Sequence, residues 1–288
     1  MILGLWPDDR EPILLKPAAF DYMRAESTEA ALAALAEHGP DAQLLAGGLS
    51  LMPMLNMRLA RPQLVVDISR LPGTISSSHG RVHVDFGVTQ AQLLSAGRGD
   101  PTLALLALAL PWVGHEQTRA RGTVCGSVAH ADPAAEIPLC LAVLDGTAHL
   151  RSSAGARTVQ LETFLQGLLT TARTPDELLE AVSFASATSE QGFAFAEFGR
   201  RHGDFAIVAC AARVSDAEVT FGVGGVADTP VIRRFKLGSE VELDDWLNAL
   251  AWEVDAPSDV HADARLRRDL IRSLGRKTIL EASSQCQS

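Results

Sequence analysis

The chain has 288 residues, of which 47% are apolar and 21% charged, the balance of a globular chain with a substantial core in one large or two ordinary domains. Its 25 Lys and Arg against 35 Asp and Glu leave a net charge of −10, which argues against nucleic acid and anionic membrane surfaces as partners. Cys125, Cys140, Cys210 and Cys286 are far apart with no C-x-x-C pair, so neither a disulfide framework nor a zinc or iron–sulfur site is expected. A reducing, cytoplasmic setting fits that usage. The apolar start at residues 2–6 is too short for a signal peptide and runs into Asp8, Asp9 and Glu11. The longest apolar run, 103–113, is broken by Pro111 and too short to span a bilayer.

Residues 1–14 fit no regular pattern and read as a loose extension. Ser27 or Thr28 can cap a helix with Leu32, Leu35 and Ala36 on one face, ended by Gly39-Pro40. Residues 42–46 read as a short buried strand. The Gly47-Gly48 turn follows, then a short helix with Pro53 in its first turn, broken at Arg61-Pro62, and a strong strand at 64–68. That order predicts a parallel α/β unit. Alternation around His79-Gly80 predicts a hairpin over 74–88. Thr89 can cap a helix through Ala96, and 102–110 reads as a buried Leu/Ala helix. A glycine-rich loop starts at Gly122. Asp132 as N-cap and Pro133 at the first position predict a helix to about Leu144, and Asp145-Gly146 turns the chain into a strand at 147–151. A helix around 176–180 completes this unit. A composition shift near 183–190 divides the chain into domains 1–188 and 189–288. The second is expected to be a mixed α+β domain with strands at 193–198 and 218–226 and helices at 244–252 and 264–280, the last of them basic.

Chemistry concentrates in G-T-V-C-G-S-V-A-H-A-D-P-A-A-E at 122–136. Small residues let backbone N–H groups approach an anion, and a helix start behind them favours negative charge. A second turn of this kind is A-G-G-L-S at 46–50, so a ligand with two phosphates, or one diphosphate between the turns, is one reading. Tight connections with no ligand are the other. Neither turn fits G-x-G-x-x-G or G-x-x-x-x-G-K-[ST].

In this order the two turns closely resemble the flavin subunit, or medium chain, of molybdenum-containing hydroxylases, a family that includes bacterial carbon monoxide dehydrogenase and shares its flavin module with xanthine dehydrogenase. The matching stretches are L-L-A-G-G-L-S-L-M-P-M-L-N-M-R-L-A-R-P at 44–62, V-V-D-I at 65–68 and V-G-H-E-Q-T-R-A-R-G-T-V-C-G-S-V-A-H-A-D-P-A-A-E-I-P at 113–138. Weaker ones are F-G-R-R-H-G-D-F-A at 198–206, G-G-V-A-D-T-P at 224–230 and D-V-H-A-D-A-R-L-R-R at 259–268. The resemblance implies an α+β fold, a two-lobed PCMH-type FAD-binding module followed by a C-terminal mixed domain. FAD would lie between the lobes. Its diphosphate would rest on Ala46, Gly47, Gly48, Leu49 and Ser50; Gly122, Thr123, Gly126 and Ser127 would wrap it. Ala129, His130, Asp132 and Glu136 would reach the flavin and ribityl side, with Val113 in the groove and Leu179 packed by the ring. Two positions depart from the family pattern: Leu49 stands where Gln is usual, and Cys125 where Gly is usual. If the backbone at 125 needs a positive φ, Cys is strained there by about 1 kcal/mol.

Each polar cluster also has a plain structural reading. Asp132 is first a helix cap. Glu136, one helical turn on, is an exposed carboxylate unless it meets FAD. His130 and Asp132 have no third ligand close in sequence, so no metal is expected. His115 and Arg119 either support the second loop or line the groove. The run from Arg200 to Asp204 reads as an inter-domain salt bridge before it reads as an acceptor site. The basic residues of 264–280 read as a solvated face before a docking surface. No Ser-His-Asp or Cys-His nucleophile is legible, and no residue need act as a catalytic base.

By resemblance, the function is electron transfer through FAD to an external acceptor. The molybdopterin cofactor would sit on a large partner subunit and two [2Fe-2S] clusters on a small one, with a dimer of heterotrimers as the assembly. A stand-alone FAD-dependent oxidase or reductase and a nucleotide-binding module with no redox role are the alternatives.

Overall fold

The computed structural model describes residues 16–216 and 218–286, and the extension expected at 1–14 lies outside them. The first lobe opens with β1 (Asp21–Arg24) and α1 (Thr28–His38). Ser27 caps α1, its Oγ accepting from the Ala30 N–H at 3.1 Å. Then come β2 (Ala42–Leu45), α2 (Leu51–Asn56) and β3 (Leu64–Asp67). The sheet order is β1-β3-β2, and both pairings are parallel, as the strand–turn–helix–strand order predicts.

The second lobe is an antiparallel sheet. β4 (Ile75–Ser78) and β5 (Arg81–Asp85) form the expected hairpin, with His79 and Gly80 both at positive φ, the conformation a two-residue hairpin turn demands. Thr89 caps α3 (Gln90–Gly97) in a capping box with Gln92. The Leu/Ala run forms α4 (Ala104–Ala109) between two short 3₁₀ turns. There follow α5 (Glu116–Arg121), α6 (Val124–His130) and α7 (Glu136–Val143). β6 (Thr147–Ser152), β7 (Gly155–Gln160), α8 (Leu161–Phe164), β8 (Leu165–Gly167) and β9 (Thr170–Thr171) lead to β10 (Leu178–Ala185). The five-stranded order is β4-β5-β10-β6-β7, while β8 and β9 pair separately.

After it come β11 (Gln191–Phe198), β12 (Val208–Ser215), β13 (Glu218–Gly224) and β14 (Val231–Lys236), a four-stranded antiparallel sheet in sequence order. α9 (Glu240–Glu253) and α10 (Ala264–Cys286) pack on one face and bury a core of their own. The other face meets α4 and α7 and joins the core of the lobes through Phe193, Ala209 and Ala211. α7 approaches closely enough that a Cβ at Gly222 would lie 2.7–2.8 Å from Val143 and Leu139.

Three expectations are corrected. The helix predicted at 176–180 is part of β10, because tertiary pairing with β5 and β6 buries Leu178, Leu179 and Val182 in a central strand. The stretch read as a glycine-rich loop is helical from Val124 to His130, with Gly126 inside it; Thr123 Oγ1 accepts from the Gly126 N–H at 3.0 Å and supplies the cap. The next helix begins at Glu136 rather than Pro133. Asp132 caps a turn instead, its Oδ1 accepting from the Ala134 N–H at 2.9 Å and its carbonyl from the Ala135 N–H at 3.1 Å. β12 carries no sequence signal: V-A-C-A-A-R-V-S is buried on both faces, so it does not alternate.

Candidate functional site

One cavity of about 740 Å³ opens where the parallel lobe, α6 and β10 meet. All fifteen residues read from the sequence line it. Ala46, Gly47, Gly48, Leu49 and Ser50 come from the turn after β2, and Val113 from the approach to α5. Gly122, Thr123, Gly126, Ser127, Ala129 and His130 come from α6 and its entry, Asp132 and Glu136 from the next bend, and Leu179 from β10.

The two glycine turns touch backbone to backbone. A Cβ on Gly47 would sit 2.2 Å from the Arg121 carbonyl oxygen, so only glycine allows that approach. Gly48 has φ +77°, where an L side chain is strained. Among the described residues, none of the N–H groups of Gly47, Gly48, Leu49 and Ser50 has a hydrogen-bond acceptor in the chain. Four such donors on a cavity wall are a ready site for an anion. The second turn is stitched in place: the Gln90 N–H donates to the Gly122 carbonyl at 2.8 Å, and the Val124 N–H to the Val88 carbonyl at 3.1 Å. Diphosphate oxygens fit this donor set, and the cavity is of the size that holds a cofactor.

The opposite wall is acidic. Glu136 is only 5% exposed, which corrects the expectation of an exposed carboxylate. It does not share a helix with Asp132. Burial, with the charge of Asp132 adding to it, pushes the Glu136 carboxyl up to about 7. Ala131 ends α6 in the left-handed conformation (φ 52°) and turns the chain from His130 to Asp132. Leu179 is buried beside a bulge in β10, where the register with β6 shifts between Leu179 and Ala181.

Cys125 lies within α6 at no positive φ, so the backbone strain weighed for it does not arise. Its thiol is buried, 3.5 Å from the Val84 carbonyl, and burial raises its pKa. Arg119 supports the wall, donating to the carbonyls of Val113 at 2.9 Å and Gly114 at 3.0 Å. Among the described residues no group of three His, Cys, Asp or Glu side chains could hold a metal ion.

Part of the lining was ranked second or missed in the sequence. Gly203 and Asp204, from the run whose acceptor-site reading came second, face the cavity with Phe205, which is 66% exposed at its edge. Among the described residues, the inter-domain salt bridge expected in that run is not formed. Arg200 donates to the Val260 carbonyl at 2.8 Å, and His202 packs edge-on against Trp112. Arg173, the single Lys or Arg lining the cavity among the described residues, was also missed. It donates to the carbonyls of Thr174 and Glu177, at 3.1 and 2.7 Å. A lone Arg in a polar loop carries no sequence signal of such a position.

The basic face of the last helix is largely engaged. Arg267 is buried and donates to the carbonyls of Ile207 (2.7 Å) and Gly225 (2.6 Å) and to Asp259 (2.6 Å). Arg276 pairs with Glu240 and Asp244 on α9, and Arg268 lies over the Trp252 ring. Among the described residues, no helix is long and apolar enough to cross a membrane.

Comparison with known proteins supplies the family. The profile described as FAD binding domain in molybdopterin dehydrogenase matches residues 18–185, and that of the CO dehydrogenase flavoprotein C-terminal domain matches 193–282. The 6-hydroxypseudooxynicotine dehydrogenase complex subunit alpha of Paenarthrobacter nicotinovorans is 36% identical, with 93% of this chain and 96% of that protein covered. Among solved structures, a chain of quinoline 2-oxidoreductase from Pseudomonas putida 86 superposes with a TM-score of 0.88 at 30% identity, covering 95% of this chain and 100% of that one. A chain of carbon monoxide dehydrogenase from Hydrogenophaga pseudoflava gives 0.88 at 26%, covering 94% and 99%.

Proposed function

The chain belongs to the family of FAD-binding subunits of molybdopterin dehydrogenases, and from that premise we propose that it carries electrons from a partner's [2Fe-2S] clusters through FAD to an external acceptor. The observation that carries this reading is the meeting of all fifteen sequence-derived residues on one cavity, with four unpaired backbone donors on one wall.

In this reading the N–H groups of Gly47, Gly48, Leu49 and Ser50 hold the FAD diphosphate, Thr123 fixes the helix start beside it, and Leu179 packs by the flavin ring. When bound, FAD supplies the exchange between one- and two-electron steps. The residues of this chain bind and orient it and exclude water. In this reading substrate is oxidised on the large molybdopterin subunit, and the chain is inactive on that substrate alone. The two-domain division at 188/189, a cytoplasmic location, and assembly with the large and small subunits as a dimer of heterotrimers belong to the same reading.

Co-purification with the two partner chains tests it. A yellow chain that is idle alone, and passes substrate electrons to an artificial acceptor only with both partners, is the expected result. Unaided turnover of a substrate would favour a stand-alone flavin oxidase or reductase, and a colourless chain that takes up nucleotide alone would leave no redox role.

A further inference from the structure

Glu197 is a second, half-buried carboxylate and plays no part in the reading above. It lies on β11, paired with Ala209, on the face that looks away from α10 and toward α4 and α7. Its Oε2 is buried with no hydrogen-bond partner. Glu136, at the start of α7, faces the cavity from the other side of the same seam. It is only 5% exposed. Through Ala209, Glu197 is in register with Gly224, whose Cβ position lies 3.3 Å from the Pro133 carbonyl oxygen just ahead of Glu136, so the two carboxylates share one end of the seam and cannot both be ionised cheaply.

We propose that Glu136 and Glu197 form a proton-holding pair that spans the seam between the FAD-binding lobes and the C-terminal sheet, and that the pair takes up a proton when an anionic cofactor enters the cavity. Glu136 faces the cofactor, and Glu197 shares the charge behind it. The proposal rests on the reading of the cavity as an FAD site.

The surroundings support a pair rather than two independent acids. Burial and the charge of Glu136 push the Glu197 carboxyl up to about 8; Glu136 itself is raised to about 7. The Cys140 thiol, one turn along α7, is raised by burial and then by the charges of both. The charges acting on the pair are thus carboxylates: Asp132 on Glu136, and Glu136 on Glu197. Elsewhere around α7, His130 ends α6, Cys210 lies on the far face of β12, and Glu162 of α8 is ion-paired with Arg234. On β13 the single ionisable residue is Glu218, at the strand's opposite end, paired with Lys236. α4 carries no ionisable side chain. Arg173, which lines the same cavity, is held by the carbonyls of Thr174 and Glu177, and Arg213 of β12 is paired with Asp145, so among the described residues no uncommitted cation faces the pair and it titrates through the neutral range in coupled steps.

The sign follows from linkage. The diphosphate adds negative charge to the cavity, which raises the affinity of the pair for protons. Binding near pH 8 therefore consumes protons, and FAD affinity falls as pH rises through the titration.

Calorimetry of FAD binding to the deflavinated full-length chain, in buffers of differing ionisation heat, counts those protons. Net uptake near pH 8 is expected for the wild type, with none in Glu136→Gln/Glu197→Gln, whose FAD affinity should also lose its dependence on pH between 7 and 9. FAD binding without proton uptake in the wild type, or uptake that persists unchanged in the double variant, would overturn the pair. Infrared titration of carboxyl bands in the cofactor-free chain separates this from the cavity assignment. Protonated bands that persist above pH 6 and vanish in the double variant establish the pair even if FAD fails to bind, in which case the cavity assignment and the cofactor-linked uptake fall. Their absence refutes the pair even if FAD binds well.

Discussion

The two walls of the cavity are built on opposite terms. The turn at 46–50 presents backbone donors and almost no side chain, while the bend at 132–136 presents carboxylates held out of water. The first wall works by what is missing, since any Cβ at Gly47 meets the Arg121 carbonyl. The second depends on what surrounds it, because the same Glu on an open helix would be an ordinary charge. A cofactor with an anionic middle and a redox ring needs both kinds of wall: one to grip charge without adding any, the other to set the proton balance nearby.

The largest break in this contrast should come from Gly47→Ala. The added methyl collides with backbone rather than with a yielding side chain, so the second turn must move. Near-complete loss of flavin absorbance per chain is expected, and a normal flavin content would refute the backbone-to-backbone contact. Next comes Glu136→Gln. The wild-type carboxyl is raised in the fold, so the native state binds more protons than the unfolded one. Stability from this group is full below the ordinary carboxylate range and lost as pH rises toward about 7. The Gln variant should therefore match the wild type near pH 4 and exceed it by roughly 3 kcal/mol above pH 8. Denaturant unfolding at both pH values reads the difference, and a variant weakened equally at both would contradict it. Thr123→Val removes the cap of α6 on the glycine side, costing about 1 kcal/mol. Its thermal midpoint should fall by a few degrees at every pH, with weakened FAD affinity. Arg276→Met touches neither wall. Its half-exposed pairs with Glu240 and Asp244 should be worth under about 1 kcal/mol, with flavin content unchanged.

The backbone wall was legible in the sequence because two turns of small residues, each beside a helix start, mark a close approach of backbone whether or not a ligand follows. The parallel pairing of β2 and β3 followed from the same order of elements. The acidic wall was located but mischaracterised. Asp-Pro advertises a helix start, and local chemistry cannot say that the helix waits until Glu136 or that β12 and β13 close over it. Glu197 was not found, since its partner is far off in sequence and the two meet only through the seam. β10 misled for a similar reason: L-L-E-A-V suits a helix until two strands claim it.

Arg267 reaches from the last helix to the Gly225 carbonyl, and the Gly225 N–H in turn donates to the Pro133 carbonyl at 2.9 Å. The bend that ends at Glu136 is thus fastened from α10, on the far side of the C-terminal sheet. One side of the pocket is braced by that helix, and loosening it should free the bend at 132–136 as well.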